Sequence, residues 1–333
     1  MAAYTAIDDP EAYFQVQLYT GDGAANNAIT LGGDTDMQPD LVWIKNRDAG
    51  DSHCLFDAVR GATKVMHSDT NAAEATDTDT LDSFASDGFQ VDADVKVNTN
   101  TEKYVAWCWK ESATSGFDIV AYTGDGSNRT ISHSLSAVPH VMIVKNKVGE
   151  NGWAVYQHKN TAAPETDVLE LDSTGATVDN DPRWNDTAPT SSVFTVGTHA
   201  TTNNDGTAFI AYLFSEKQGF SKFGSYVGNG NADGPFVYTG FKPAFVMMKE
   251  STSASAWTMV DGGREPFNEA GAKATFCNLN TAEATGSGVD FLSNGFKLRS
   301  TDTNSNADGE TSIYIAFAEA PFVNSNGVPC NAR

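Results

Sequence analysis

The sequence predicts an all-β chain of three tandem antiparallel β-sandwich repeats, each of immunoglobulin or jelly-roll size, with short arms at both ends. Three observations carry this. An opening phrase occurs three times, as Phe14-Gln-Val-Gln-Leu-Tyr19-Thr-Gly-Asp-Gly23, Phe117-Asp-Ile-Val-Ala-Tyr122-Thr-Gly-Asp-Gly126 and Phe220-Ser-Lys-Phe-Gly-Ser-Tyr226-Val-Gly-Asn-Gly230. A second phrase follows each opening, as Pro39-Asp-Leu-Val-Trp-Ile-Lys45, Pro139-His-Val-Met-Ile-Val-Lys145 and Pro243-Ala-Phe-Val-Met-Met-Lys249. A third closes each copy: Tyr104-Val-Ala106-Trp-Cys-Trp109, Phe209-Ile-Ala211-Tyr-Leu-Phe214 and Tyr314-Ile-Ala316-Phe-Ala, with the alanines 105 residues apart both times. Such a period is far longer than a solenoid or propeller repeat, so each copy is large enough to own a core. The expected division is an N-terminal arm (1–13), repeats at 14–113, 114–218 and 219–320, and a C-terminal arm (321–333).

Within the first copy, short apolar runs punctuated by Gly, Asp, Asn and Pro define the elements in turn. Phe14–Tyr19 alternates apolar and polar residues, which half-buries one sheet face. Ala28–Leu31 follows, and then Leu41–Asn46, whose unbroken apolar run suits a central strand covered on both sides. Cys54–Asp57, Lys64–Ser68, Phe89–Val91 and Tyr104–Lys110 complete the set. A turn of helix is expected within Asp69–Asp82, where Asn71-Ala-Ala-Glu-Ala gathers good helix formers.

Composition excludes several functions. A formal net charge of −22 argues against nucleic-acid binding, which draws its affinity from Lys and Arg on phosphates, and against electrostatic docking on anionic membrane. It suits solubility and mutual repulsion instead. The four cysteines fall at non-equivalent places without metal spacing, and Cys108, between two tryptophans, reads as a buried thiol. No signal peptide or membrane span is expected from the sequence.

The repeated Gly-Asp-Gly reads as a turn that supplies positive φ, with Ca²⁺ ligation by Asp-rich loops as the alternative. Lys45, Lys145 and Lys249 read as snorkelling residues whose stems cover core while their ammoniums reach water. Of the six tryptophans, Trp184 stands apart, in the polar stretch Asp179-Asn-Asp-Pro-Arg-Trp-Asn-Asp-Thr. Trp184, Asn185 and Asp186 form a candidate glycan contact, because an aromatic face beside amide and carboxylate suits a sugar; the alternative is a tryptophan folded back on its own unit. No metalloprotease His pair, P-loop lysine or nucleophile elbow occurs, and the six histidines are scattered. No catalytic, cofactor or metal residue is therefore assigned.

As a set, several phrases resemble a repeat family common in tailed phages of marine and freshwater bacteria. They are the opening Ile7-Asp-Asp-Pro-Glu-Ala-Tyr-Phe14, the Tyr-Thr-Gly-Asp-Gly phrase and Pro39-Asp-Leu-Val-Trp-Ile-Lys-Asn-Arg47. To these add Thr187-Ala-Pro-Thr-Ser-Ser-Val-Phe-Thr-Val-Gly197, Phe291-Leu-Ser-Asn-Gly-Phe296-Lys and the ending Ala316-Phe-Ala-Glu-Ala-Pro-Phe-Val-Asn-Ser-Asn-Gly-Val-Pro329. The resemblance implies a non-enzymatic virion structural protein made in the host cytoplasm. On that basis an exposed tail fibre or appendage that meets the host surface is expected; the alternative is a head decoration or cement protein, and a third reading is a polysaccharide-degrading enzyme. The expected partners are other virion proteins, further copies of the chain in a homo-oligomer, and a host-surface glycan.

Overall fold

The computed structural model describes residues 4–268, 273–286 and 288–330. It is all-β, built of antiparallel sheets without a barrel. Three larger sheets share one strand order, in which the closing phrase lies between the opening phrase and the Pro-led phrase. In the first, Phe14–Thr20 pairs with Lys103–Trp109, which pairs with Leu41–Asn46 and then Cys54–Asp57. The second runs Phe117–Thr123, Ala208–Phe214, Val141–Asn146, Ala154–Gln157, Asp167–Glu170 and Val178–Asp179. The third runs Ser221–Val227, Thr311–Pro321, Phe241–Glu250, Thr258–Asp261, Lys273–Phe276 and Ala284–Thr285. A smaller sheet accompanies each: Asn27–Thr30 with Gly88–Val91 and Leu81–Ala85, then Arg129–Ser132 with Val193–Val196, then Phe236–Tyr238 with Gly295–Leu298 and Val289–Leu292.

The first two Pro-led strands are apolar on both faces because two different cores claim them, whereas on the third Val246 and Met248 belong to the same cluster as Phe245 and Met247. Each larger sheet with its smaller companion makes up one sector. Val42 and Ile44 pack with Ile29, Phe89, Val91 and Ala106, residues of the first sector alone. Met142 and Val144 do likewise with Ile131, Phe194, Val196 and Ala211. The alternate residues Leu41, Trp43, Val141, Ile143, Phe245 and Met247 point the other way and join one common cluster. Trp107, Tyr212 and Phe317, which hold equivalent places on the closing strands, lie in that same cluster. A small apolar void of about 20 Å³ sits among them, lined from all three sectors by residues such as Leu41, Ile143 and Phe245. It has no polar wall to hold water and stays dry. The expectation of three units that each close a separate interior is thus corrected. The first and second sectors have inner cores of their own, but all three sectors meet on a shared one.

Other expectations need smaller corrections. Asn71–Ala75 is not helical; its backbone bridges to the second sector, where Glu74 N donates to Lys147 O at 2.9 Å. The helical turn of the first sector is Val95–Asn98, entered through Asp94, whose side chain accepts from Lys96 N. The strand Leu81–Ala85 lies where no strand was expected. Within the described part of the N-terminal segment, Ala6 N donates to Gln218 O at 2.9 Å, which ties the segment to the end of the second sector. The C-terminal segment turns back, with Cys330 N donating to Phe322 O at 3.1 Å.

Candidate functional site: three seams and one open cleft

The recurrent Tyr-Thr-Gly-Asp-Gly is a clamp centred on a fully buried asparagine. Asn98, Asn203 and Asn306 each accept on Oδ1 from the backbone N–H of the motif's fourth residue, Asp22, Asp125 and Asn229, at 2.9–3.0 Å. Their carbonyls accept from Gly23, Gly126 and Gly230, each at 2.9 Å, and these glycines hold φ of +61° to +69°. The motif tyrosines reach the preceding carbonyl: Tyr19 donates to Val97 O, Tyr122 to Thr202 O and Tyr226 to Ser305 O. The first glycine is needed for space, since a Cβ on Gly21, Gly124 or Gly228 would sit 2.2 Å from a backbone oxygen. The tyrosine, both glycines and the acid or amide of the phrase therefore have structural tasks, and the Asp22 carboxylate already accepts from Ala24 N and Asn98 Nδ2. Among the described residues no cluster of three His, Cys, Asp or Glu side chains is placed to hold a metal ion.

The three lysines are buried outright, which corrects their reading as snorkelling residues. Lys45 Nζ donates to the Asn46 and Ala49 carbonyls. Lys145 Nζ reaches Asn151 O and, across a seam, Asn71 O of the first sector at 2.8 Å. Lys249 Nζ reaches Glu250 O and, across the next seam, Thr174 O of the second at 3.3 Å. Burial lowers each ammonium to about 8.

The seams repeat one backbone hydrogen bond and form a closed cycle. Thr177 N donates to Ser251 O at 2.9 Å and Glu283 N to Arg47 O at 2.8 Å, so the third sector returns to the first. Three ring N–H groups repeat the pattern. Trp153 Nε1 donates to His67 O and Trp257 Nε1 to Glu170 O, each at 3.0 Å, while His53 Nε2 lies 3.0 Å from Phe276 O. His53 also accepts on Nδ1 from Trp43, which fixes the Nε2–H tautomer, and burial drives its basicity well down. A buried carboxylate adds to two seams. Asp57 binds Arg60 and accepts from Tyr212 OH at 2.7 Å; Asp261 binds Arg264 and accepts from Trp107 Nε1 at 3.1 Å. At the remaining seam Phe317 offers no donor, and Gln157 replaces the acid, donating to Gly224 O. A salt bridge from Arg47 to Glu283 at 2.8 Å tightens the third-to-first seam.

Two further clusters sit where one sector passes to the next. Glu111 N donates to Asp40 Oδ2 at 2.7 Å, and burial together with a hydrogen bond to Asp118 raises the Glu111 carboxyl to about 7. In the next position Glu216 N donates to His140 Nδ1 at 3.1 Å, and the His140 and His158 rings meet edge to face. Between the third and first sectors lies a cleft of about 370 Å³, lined by Glu11, Gln15, Lys242, Glu265, Asn268 and Glu319 with Phe14 and Phe291 among its apolar walls. Lys242 is paired with Glu319 at 2.5 Å, so the cleft is acidic on balance.

The structure does not give Trp184 the role of a sugar platform. The ring is fully buried against Tyr156, and its Nε1 donates to Asp167 O at 3.0 Å. Asn185 and Asp186 continue the turn outside with φ of +53° and +46°. Cys108 is buried as expected, with Cys54 and Cys277, and burial pushes all three thiols up.

A family model described as Domain of unknown function (DUF7483) matches residues 9–321. The chain belongs to the DUF7483 family. One DUF7483 match spans all three larger sheets, as the shared core and cyclic seams do. No curated protein and no solved structure matches the chain. No helix among the described residues of this DUF7483 chain is long and apolar enough to cross a membrane.

Proposed function

We propose that this chain is a non-enzymatic structural protein of a tailed phage particle, an exposed fibre or appendage component that contributes to contact with the host surface. In this reading the three sectors are homologous β-sandwich repeats closed around a pseudo-threefold axis. The observation that carries it is the cyclic set of seams, in which equivalent residues of three sectors bond around one dry core. A single chain built this way presents three similar flanks, which suits a site of threefold symmetry in a larger assembly. The conspicuous polar residues of the repeated phrases are committed to backbone partners, leaving them to hold shape rather than to perform chemistry. The Glu111–Asp118 pair shares a hydrogen bond, whereas glycosidase carboxylates stand about 5–9.5 Å apart with the scissile bond between them.

The same symmetry also favours the second reading, a head decoration protein seated on a threefold position of the shell. Gold-labelled antibody against the chain, imaged on particles, separates the two. Label confined to the tail supports the first and label over the shell the second. Particles without label, or reducing sugar released by the pure protein from envelope polysaccharide, would overturn both.

A further inference from the structure

The smaller sheets differ at one pair of equivalent positions. On their edge strands Ile29, Ile131 and Val237 pair with Phe89, Phe194 and Phe296 and are buried. The flanking residues face outward: Ala28 and Thr30 in the first sector, Thr130 and Ser132 in the second, but Phe236 and Tyr238 in the third. Phe236 is 46% exposed and Tyr238 61%. Burial does not require aromatic rings there, since two sectors build the same strand with small polar or methyl side chains.

Each ring has a glycine beside it. A Cβ on Gly295 would come within 3.0 Å of the Phe236 ring, so that ring lies over bare backbone; Tyr238 lies against Gly240, 3.5 Å from the position of a Cβ. Beside the rings, Lys297 pairs with Asp233 at 2.9 Å, and Arg299 bridges Asp290 at 2.5 Å and Asp233 at 3.7 Å. Two cations and two anions leave this rim neutral while exposing several donors and acceptors.

We infer that Phe236 and Tyr238, with the Asp233–Lys297–Arg299–Asp290 rim, form a binding platform for a neutral oligosaccharide. Two outward residues of one strand stand about 7 Å apart, placing two apolar ring faces in a row. A pyranose presents a face of C–H groups to stack on such a ring and a rim of hydroxyls for charged neighbours. Two rings and a short rim are far smaller than the roughly 800 Å² per partner of a stable protein interface. Against an anionic polymer stands the chain's net charge of −22. This inference rests on the proposed role in host contact and names the ligand class for it.

The test uses the full chain and saturation-transfer NMR with maltoheptaose, cellopentaose and chitotetraose as probes. The control is the double variant Phe236→Thr, Tyr238→Ser, which approximates the second sector's own solution and keeps the fold, as checked by its melt. Saturation of at least one probe by the native chain, reduced tenfold or more in the double variant, is expected. Overturning results are a native chain that saturates none of the three, binding that survives in the double variant, or concentration-dependent self-association that the double variant abolishes. Particle labelling reads placement independently, so unlabelled particles beside a positive NMR result defeat the placement alone, and the opposite pairing defeats the platform alone.

Discussion

The Tyr212 hydroxyl offers the cleanest perturbation of a seam. It donates at 2.7 Å to Asp57 Oδ2, across from the second sector to the first, and both side chains are buried. Tyr212→Phe removes only this oxygen, and the ring shape is acceptable because Phe317 fills the equivalent place in the third sector. A hydrogen bond to a charged group contributes about 1.5–3 kcal/mol. Asp57 keeps the Arg60 backbone N–H and Nε, so the expected loss lies within that range. At about 2.1 cal/mol/K per residue, unfolding the whole chain as one unit turns this into a fall in Tm of about 2–4 °C. Urea denaturation followed by fluorescence of the six buried tryptophans is the assay. The Tyr212→Phe, Asp57→Asn double-mutant cycle isolates the pair. A coupling below about 0.5 kcal/mol, or a change confined to one of several transitions, would refute the reasoning.

Gly124→Ala, which drives a Cβ to 2.2 Å from Asn204 O, is expected to destabilise by more than about 3 kcal/mol, whereas Gly206→Ala, with φ +66° and open space, should cost about 1 kcal/mol; paired urea titrations check this. Stability should rise between pH 8 and 9. The folded-state pKa of each buried lysine, about 8, lies below the unfolded 10.5, so the unfolded chain binds more protons in that window and loses ground as pH increases. The gain is about 0.5–1 kcal/mol per lysine, and changing Lys145 to Met should remove about a third of the total; above pH 9 the buried thiols, raised in the fold, act in the opposite sense. A thiol reagent should modify Cys330 alone in the native protein and four cysteines in denaturant; rapid native modification of a second thiol contradicts the burial described.

Much of the strand pattern was legible. The strands of the first sector from Phe14, Leu41, Cys54 and Lys103 begin within a residue of their expected places, because alternation and punctuation are local signals. The unbroken run Leu41-Val-Trp-Ile signals two covered faces, but a sequence cannot say that the second cover comes from the other two larger sheets. The lysines are ambiguous for a similar reason: a lysine closing an apolar run looks alike whether water or a buried carbonyl receives it. Trp184 has polar neighbours in sequence, yet a long-range partner, Asp167 O, draws it inside. Phe236-Val-Tyr238 carries no distinctive local signal; its exposed rings stand out only when the three edge strands are set in register. The four-residue turn Val95–Asn98 is too short for any helical period to show.

Differential scanning calorimetry tests the shared core most directly. If three sectors stand on one interior, the chain melts in a single transition. Its calorimetric enthalpy, about 230 kcal/mol near 60 °C for this length, then equals the van't Hoff enthalpy. A calorimetric enthalpy about three times the van't Hoff value, with resolved steps of roughly 70–80 kcal/mol each, would mean that the sectors unfold independently and that the closed ring does not hold them together.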